Sequence, residues 1–254
     1  MRAKRAGKNC KTTMASAFVF LLISALVCSV STGCDTPSFG SHVSSHQIVE
    51  LGAEAAVQFD SQYQTALPTD PGMTAFQSVA PVLQMHATGL PSYVTLHIVA
   101  IESDEEIAIS LPDGHIYVSS GLLAKIGNDP DEVACVLSHE IGHVALGHDV
   151  ENLTAALGDS TVADMLSQGE YQDIVNTEIE LSRLSYSKDQ EVAADRYAVQ
   201  LAHSSGYDAS ALVRFLSMVG SEQQSQSEVQ WDASHPLFKQ RVPDVEDDIR
   251  RLSR

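Results

Sequence analysis

Apolar residues recur at helical spacing along most of this chain, and a shorter part of its first half alternates as strands do. Apolar positions that repeat every three or four residues predict a helix, and strict alternation predicts a strand. The predicted helices cover residues 48–66, 71–86, 121–128, 130–146, 150–157, 162–166, 174–184, 188–205, 209–219 and 236–254, and the predicted strands cover 94–101, 107–111 and 115–119. The pattern therefore indicates a mainly helical protein with a few central strands.

The helix over residues 130–146 has start and stop signals of its own. Asp129 is a suitable N-cap residue, Pro130 fits the first helical position, and Glu132 completes a capping-box pattern. Gly147 is a suitable stop. We therefore expect a well-defined helix between Asp129 and Gly147.

This helix carries the pattern H-E-x-x-H at residues 139–143. Positions four apart lie on one helical face, so His139 and His143 can offer two imidazole nitrogens to one metal ion. Glu140 lies on the same turn, where its carboxylate can reach a metal-bound water without being a ligand. This is the pattern of a zinc hydrolase. The alternative is a chance occurrence on an ordinary amphipathic helix.

A second polar pair, Glu191 and Asp195, lies four positions apart on a helix that Ser187 opens with a capping-box pattern. A catalytic zinc ion usually has three protein ligands and keeps one position for water. Glu191 would complete a set of two histidines and one glutamate. Asp195 could accept the free N–H of a ligand histidine and fix its tautomer. The alternative, a solvated acidic face, is less favoured beside H-E-x-x-H.

Four motifs follow one another in order: a strand–turn–strand over residues 107–122, H-E-I-G-H, E-V-A-A-D, and Ser234-His235-Pro236 followed by Arg241. Together they resemble metallopeptidase family 48, the zinc gluzincins, in its small secreted bacterial branch. The resemblance covers residues 46–254. It implies a zincin-like α+β fold, mostly helical, with a small antiparallel sheet beside the active-site helix. One departure is Ile107, where the family commonly has asparagine.

The resemblance also implies a role for each site residue. One zinc ion per chain would be held by His139, His143 and Glu191, and Glu140 would act as general base and then general acid. His235 or Arg241 would stabilise the oxyanion. His235 has an alternative role, in which its neutral nitrogen occupies the open fourth position of zinc and excludes water.

Residues Ile107, Ala108 and Ile109 belong to the strand that, by the same resemblance, would receive an extended substrate at a sheet edge. The expected activity is endopeptidase cleavage of unfolded or misassembled cell-envelope proteins. The alternative is a zinc-bearing chaperone or binding protein that rarely cleaves. The presence of Glu140 favours the enzyme, since a pure binding protein would not need it.

The first 33 residues have the composition of a secretion signal, with five basic residues, an apolar run from Met14 to Val30, and small residues before Cys34. Because a cysteine closes it, we expect a lipoprotein-type signal that is cleaved to leave an acylated Cys34. Ser31 departs from the leucine usual there, and an uncleaved anchor is the alternative. Residues 34–45 would form a tether and residues 46–254 the metallopeptidase domain, on the periplasmic side of the cell envelope.

Net charge excludes one class of partner. The chain has 15 basic and 33 acidic residues, and removal of the signal takes away only basic ones, so the net charge changes from −18 to about −23. Nucleic-acid binding requires a basic face, so we expect no such partner. The expected partners are polypeptide substrates and the membrane to which Cys34 would attach.

The remaining histidines and Cys135 are expected to lie outside the site. His148 comes five residues after His143 and is therefore out of register with the ligand pair. We expect Cys135 to be a small buried apolar residue. The other histidines in this group are expected to be structural or solvated: His86, His97, His115 and His203.

Overall fold

The computed structural model of the chain describes residues 42–171, 174, 186–222, 235 and 238–252. The predicted signal, Cys34 and most of the predicted tether lie outside the described residues, as does most of the helix predicted over residues 174–184. Among the residues that are described, no helix combines the length and the apolar composition needed to cross a membrane.

Helices make up most of the described part, and a short group of strands interrupts them. In chain order the helices are α1 Ser45–Gln62, α2 Met73–His86, α3 Ser120–Ile126, α4 Pro130–Leu146, α5 His148–Leu157, α6 Asp159–Ser167, α7 Lys188–Ser204, α8 Ala211–Glu222 and α9 Phe238–Leu252. The strands are β1 His97–Ile101, β2 Ala108–Ser110 and β3 His115–Ser119. This composition confirms the predicted α+β fold class.

The three strands form one sheet in the order β1-β3-β2. β2 and β3 pair antiparallel, as a hairpin, whereas β1 and β3 pair parallel. The sheet is therefore mixed, and the expectation of a wholly antiparallel sheet was wrong. The physical reason is that β3 lies between the other two strands. β1 and β2 run in opposite directions, and β2 also runs opposite to β3. β1 and β3 therefore share one direction.

Side-chain caps determine where several helices begin. The Ser187 hydroxyl accepts from the backbone N–H of Gln190, and the Gln190 side chain returns to the backbone of Ser187, so the capping box predicted for α7 is confirmed. An equivalent box at Ser44 starts α1 earlier than predicted. α2 starts later than predicted, because the Asp70 carboxylate accepts from the backbone N–H of Leu67 and closes a turn there.

The start of α4 is only partly as predicted. The Asp129 side chain accepts from the backbone N–H groups of Asp131 and Glu132, so it is the N-cap. Glu132 does not return a hydrogen bond to the backbone of Asp129, as a capping box requires. Its carboxylate instead accepts from Nε of Arg214, at 3.2 Å. A charged donor forms a stronger bond than a backbone N–H, which explains the difference.

The sheet lies between two apolar cores. On one face, side chains such as Ile109 and Tyr117 pack with α1, α5 and α6. On the other, Ile116 and Val118 pack with α2, α4, α7 and α8. This division follows from the alternation of side chains along each strand. It leaves α4 enclosed, with every residue from Val133 to Ala145 buried.

Close packing of α4 on α7 positions the site. A Cβ added at Gly142 would lie 3.1 Å from the carbonyl oxygen of Ala194 and 3.2 Å from Cβ of Tyr197. Gly142 therefore permits a close approach of the two helices. As a result, the face of α4 that carries the two histidines meets the face of α7 that carries Glu191.

Candidate active site

Side chains from α4, from α7 and from position 235 meet in one buried group. His139, His143, Glu191 and His235 each offer one ligand atom, and these atoms lie within 4.8 Å of one another. No second group of this kind occurs among the residues that the structure describes. Three elements far apart in sequence thus converge on a single potential metal site.

The spacing of the donor atoms fits a zinc ion. The Nε2 atoms of His139 and His143 are 3.0 Å apart, and the Glu191 carboxylate oxygens lie 3.6 Å and 3.7 Å from them. Tetrahedral zinc with bonds near 2.1 Å separates its ligand atoms by about 3.4 Å. Imidazole and carboxylate are also the donor types that catalytic zinc takes. These three residues therefore fit one zinc ion.

The electrostatics of the group suit a cation. Burial raises the pKa of Glu191 to about 8, against the opposing charge of Arg241. A bound dication would supply the counter-charge that keeps this carboxylate ionised. Burial also lowers the pKa of both His139 and His143. Both imidazoles are therefore neutral, which is the form that binds a metal.

His139 is supported from behind by a carboxylate and a guanidinium. Its Nδ1 lies 3.0 Å from Oδ1 of Asp195, the contact that the sequence predicted. Arg241 contacts both oxygens of that carboxylate, with 2.7 Å from Nε to Oδ2 and 2.5 Å from Nη2 to Oδ1. Although burial acts to raise the pKa of Asp195, the Arg241 charge lowers it to about 2. Asp195 is therefore an ionised acceptor for His139.

The position of Arg241 corrects its expected role. Its side chain is completely buried, and its third nitrogen, Nη1, contacts the Glu191 carboxylate. A guanidinium whose three nitrogens all contact carboxylates has Asp195 and Glu191 as its partners, which leaves no nitrogen for an oxyanion. Arg241 is therefore placed to position these two acidic residues, and not to stabilise an oxyanion.

His143 has a different support, which sequence reasoning missed. Nδ1 of His148 lies 2.9 Å from Nδ1 of His143. The ring of Tyr186 stacks on that of His143, with 3.8 Å between the ring centroids. The Tyr186 hydroxyl donates to Asp149 at 2.5 Å, and Ser110 donates to the same carboxylate at 3.2 Å. The signal was present in Gly147, since a helix that stops there releases His148 from the helical register.

Glu140 and His235 lie next to each other, close to the other members of the group. Oε1 of Glu140 is 3.4 Å from Nε2 of His235, and both side chains are buried. The His235 ring centroid lies 5.2 Å from that of His139 and 5.4 Å from that of His143. The structure thus places Glu140 and His235, two of the three predicted catalytic residues, next to the candidate zinc ligands.

β2 is an edge strand that contacts α4, as a substrate-binding strand would be. Leu111 N–H donates to His115, and Ser119 N–H donates to Ile107, so the odd-numbered residues from 107 to 111 bond to β3. In an antiparallel pair the alternate residues direct their backbone groups the other way. Ala108 and Ser110 therefore direct their N–H and C=O groups away from β3, whereas Ile107 and Ile109 direct theirs toward it.

Comparison with known proteins gives several relatives. The protein named metalloprotease LoiP, from Escherichia coli, is 24% identical over 249 residues, which cover 89% of this chain and 95% of LoiP. The E. coli β-barrel assembly-enhancing protease is 23% identical, and the match covers 88% of this chain but 51% of that protein. Mitochondrial metalloendopeptidase OMA1 of Arabidopsis thaliana is 39% identical over 102 residues, which are 40% of this chain and 21% of OMA1.

The family comparison spans the whole site. The family model described as peptidase family M48 matches residues 75–249, which is more than half of the chain. That range includes β2, the H-E-x-x-H helix, Glu191 and His235. The relatives of this chain given above are all named as metalloproteases, metalloendopeptidases or proteases. The chain therefore belongs to peptidase family M48.

Proposed function

We propose that this protein is a zinc-dependent endopeptidase that cleaves unfolded or misassembled proteins of the cell envelope. The observation that carries the proposal is the position of Glu140, buried on the same helical turn as two histidines whose Nε2 atoms are 3.0 Å apart. A carboxylate beside a zinc site, but outside its ligand set, is the arrangement that peptide hydrolysis requires.

His139, His143 and Glu191 would hold the ion, which when bound would acidify a water molecule and polarise the scissile carbonyl. Glu140 takes a proton from the attacking water and passes it to the leaving amine. Asp195 keeps the proton of His139 on Nδ1, so that Nε2 remains available as a ligand. Arg241 keeps Asp195 and Glu191 in place by contacting both.

We assign His235 a resting position on the metal group. Its ligand atom belongs to the same 4.8 Å set as those of the three proposed ligands. A neutral imidazole there would take the position that a water molecule needs, and the protein would be inactive until substrate displaces it. This arrangement supports the occluding role of His235 over a direct contact with the oxyanion.

The edge strand supports a substrate class. Extended peptides add to a sheet edge through backbone hydrogen bonds, which Ala108 and Ser110 would provide here. Folded proteins rarely offer an extended segment with unpaired backbone groups, because such groups are already paired in secondary structure. Unfolded or misassembled chains do offer one. The strand would therefore select substrates by their extended conformation more than by their amino-acid sequence.

The envelope location rests on the predicted signal and on the relatives. Acylation of Cys34 would attach the protein to a membrane, with its catalytic domain on the periplasmic side. The name of the β-barrel assembly-enhancing protease associates that relative with β-barrel assembly. Metabolic fatty-acid labelling tests the anchor: wild type should be labelled and Cys34→Ala should not. Membrane attachment of an unlabelled wild type would instead indicate an uncleaved anchor.

The activity is tested by zinc analysis and casein cleavage with the full chain and its Glu140→Gln variant. We expect about one zinc per chain in both proteins, and a loss of cleavage by about a thousandfold or more in Glu140→Gln. Glu102→Gln, at an exposed position, is the matched control and should cleave as wild type does. A wild type that binds zinc and prevents aggregation without cleaving would favour the alternative, a zinc-bearing chaperone.

A further inference from the structure

The junction of α4 and α5 brings a histidine back onto the site. Gly147 adopts a left-handed conformation, with φ 71° and ψ 27°, and its N–H donates to the carbonyl groups of His143 and Val144. α5 begins at the next residue, His148. The chain changes direction at this glycine, so His148 lies beside the last turn of α4. Its Nδ1 is 2.9 Å from Nδ1 of His143.

The chemistry of this contact determines which nitrogen carries each proton. If Nε2 of His143 is a metal ligand, its Nδ1 carries the proton and donates. Nδ1 of His148 is then the acceptor, and the proton of His148 is on Nε2. His139 is supported differently, since its Nδ1 meets the charged carboxylate of Asp195. The Nδ1 proton of His139 thus has a charged acceptor, Asp195, whereas that of His143 has a neutral acceptor, His148.

Tyr186 restricts the ring of His143 by stacking on it. The two rings stack with an interplanar angle of 28°. Asp149 holds Tyr186 in this position by accepting from its hydroxyl, and Asp149 is itself 7% exposed and accepts a second bond, from Ser110. Because Ser110 belongs to β2, the support of His143 is joined to the strand that would bind substrate.

We propose that His148 and Asp149 are positioning residues for the ligand His143. His148 acts by accepting the Nδ1 proton of His143, and Asp149 acts by holding Tyr186 against the same ring. This inference rests on the proposed function, because it takes His143 to be a zinc ligand. Outer partners of this kind set both the tautomer and the orientation of a ligand histidine, and their loss typically costs about 10–100-fold in metal affinity or activity.

The test compares two substitutions at His148 in the full chain. His148→Phe keeps an aromatic ring but removes the acceptor, whereas His148→Asn keeps an acceptor in its amide oxygen. The zinc dissociation constant is measured by competition with a chelating dye. We expect His148→Phe to weaken zinc binding about 10–100-fold, and His148→Asn to restore most of the affinity. His203→Ala, an exposed position on α7, is the control and should bind as wild type does.

A second readout separates orientation from folding. The cobalt-substituted protein reports ligand geometry in its visible absorption, which we expect to change in His148→Phe and, to a smaller extent, in Tyr186→Phe. Tyr186→Phe removes only the hydroxyl group that donates a hydrogen bond to Asp149. Zinc affinity within about twofold of wild type and an unaltered cobalt spectrum, in both variants, would overturn the proposal.

The proposal and the proposed function fail in different ways. If wild type binds zinc but cleaves no protein, the endopeptidase function fails, while zinc affinity and the cobalt spectrum still decide the role of His148. If wild type binds no zinc, both are wrong. If His148→Phe alone does not fold, His148→Asn and Tyr186→Phe decide. Nearly wild-type zinc affinity in His148→Asn together with a changed cobalt spectrum in Tyr186→Phe supports the proposal, and any other combination overturns it.

Discussion

Arg241 and Asp195 form a two-point ion pair in the interior, directly behind the proposed zinc ligand His139. Nε of Arg241 lies 2.7 Å from Oδ2 of Asp195, and Nη2 lies 2.5 Å from Oδ1. The same carboxylate contacts His139, and the third guanidinium nitrogen contacts Glu191. One residue of α9 therefore holds two acidic residues of α7 in the arrangement that a metal site needs.

Removal of the Arg241 charge should destabilise the fold as well as the site. Arg241→Met keeps an unbranched apolar side chain but leaves two buried carboxylates without their cation. Loss of one partner from a buried ion pair typically costs about 3–5 kcal/mol. We expect a loss of this size in the free energy of unfolding, measured by urea titration in the presence of a zinc chelator.

Arg250→Met is the matched control for this prediction. Arg250 is exposed on the same helix and pairs with Asp247 and Glu246 at the surface. Surface ion pairs contribute about 0–1 kcal/mol, so this variant should unfold almost as wild type does. Equal losses in the two variants would contradict the structural role assigned to Arg241.

Glu191 should be necessary for tight zinc binding. Glu191→Ala removes one of three proposed ligands while Asp195 remains paired with Arg241, so the variant should fold and bind zinc far more weakly. Zinc content after dialysis against a weak chelator measures the effect, and Glu105→Ala, in an exposed loop, is the control. An unchanged zinc content in Glu191→Ala would exclude Glu191 as a ligand.

Features that depend on a single helical turn could be predicted from the sequence. The one-face placement of His139 and His143 and the Ser187 capping box both follow from spacing within α4 or α7. The meeting of α4 and α7 followed from the need of a zinc site for a third ligand, which Glu191 would supply. The fold class and the candidate ligand group were therefore within reach of sequence reasoning.

Features that depend on how separate elements pack could not be predicted in this way. The partners of Arg241 depend on the path of α9 across α7, and no local pattern encodes that path. The parallel pairing of β1 depends on β3 lying between β1 and β2. The contact of His148 with His143 could not be predicted from one helical register, because the chain turns at Gly147.

Gly142→Ala should lower stability even though alanine favours helices. Alanine in a helix interior gains about 1 kcal/mol over glycine. The added Cβ, however, would lie 3.1 Å from the backbone of Ala194, which cannot move without displacing α7. Overpacking of this kind typically costs about 1–3 kcal/mol, so we expect a net loss and weaker zinc binding. Thermal unfolding measures the first effect, and Gln200→Ala, exposed on α7, is the control. An increase in stability would show that the two helices have room for the methyl group.

The last prediction separates the two roles of His235. Its Nε2 is 3.4 Å from Glu140, and its ligand atom lies within the metal group. If His235 occupies the open position of zinc at rest, His235→Ala should raise the basal cleavage of an unfolded protein such as casein. If His235 instead donates to the oxyanion, the same substitution should reduce the rate by about a hundredfold, as loss of one such donor does elsewhere. Zinc affinity adds an independent measurement, since removal of an occluding ligand should weaken binding, whereas removal of an oxyanion donor should not. Cleavage and zinc affinity that both equal those of wild type would exclude His235 from the site.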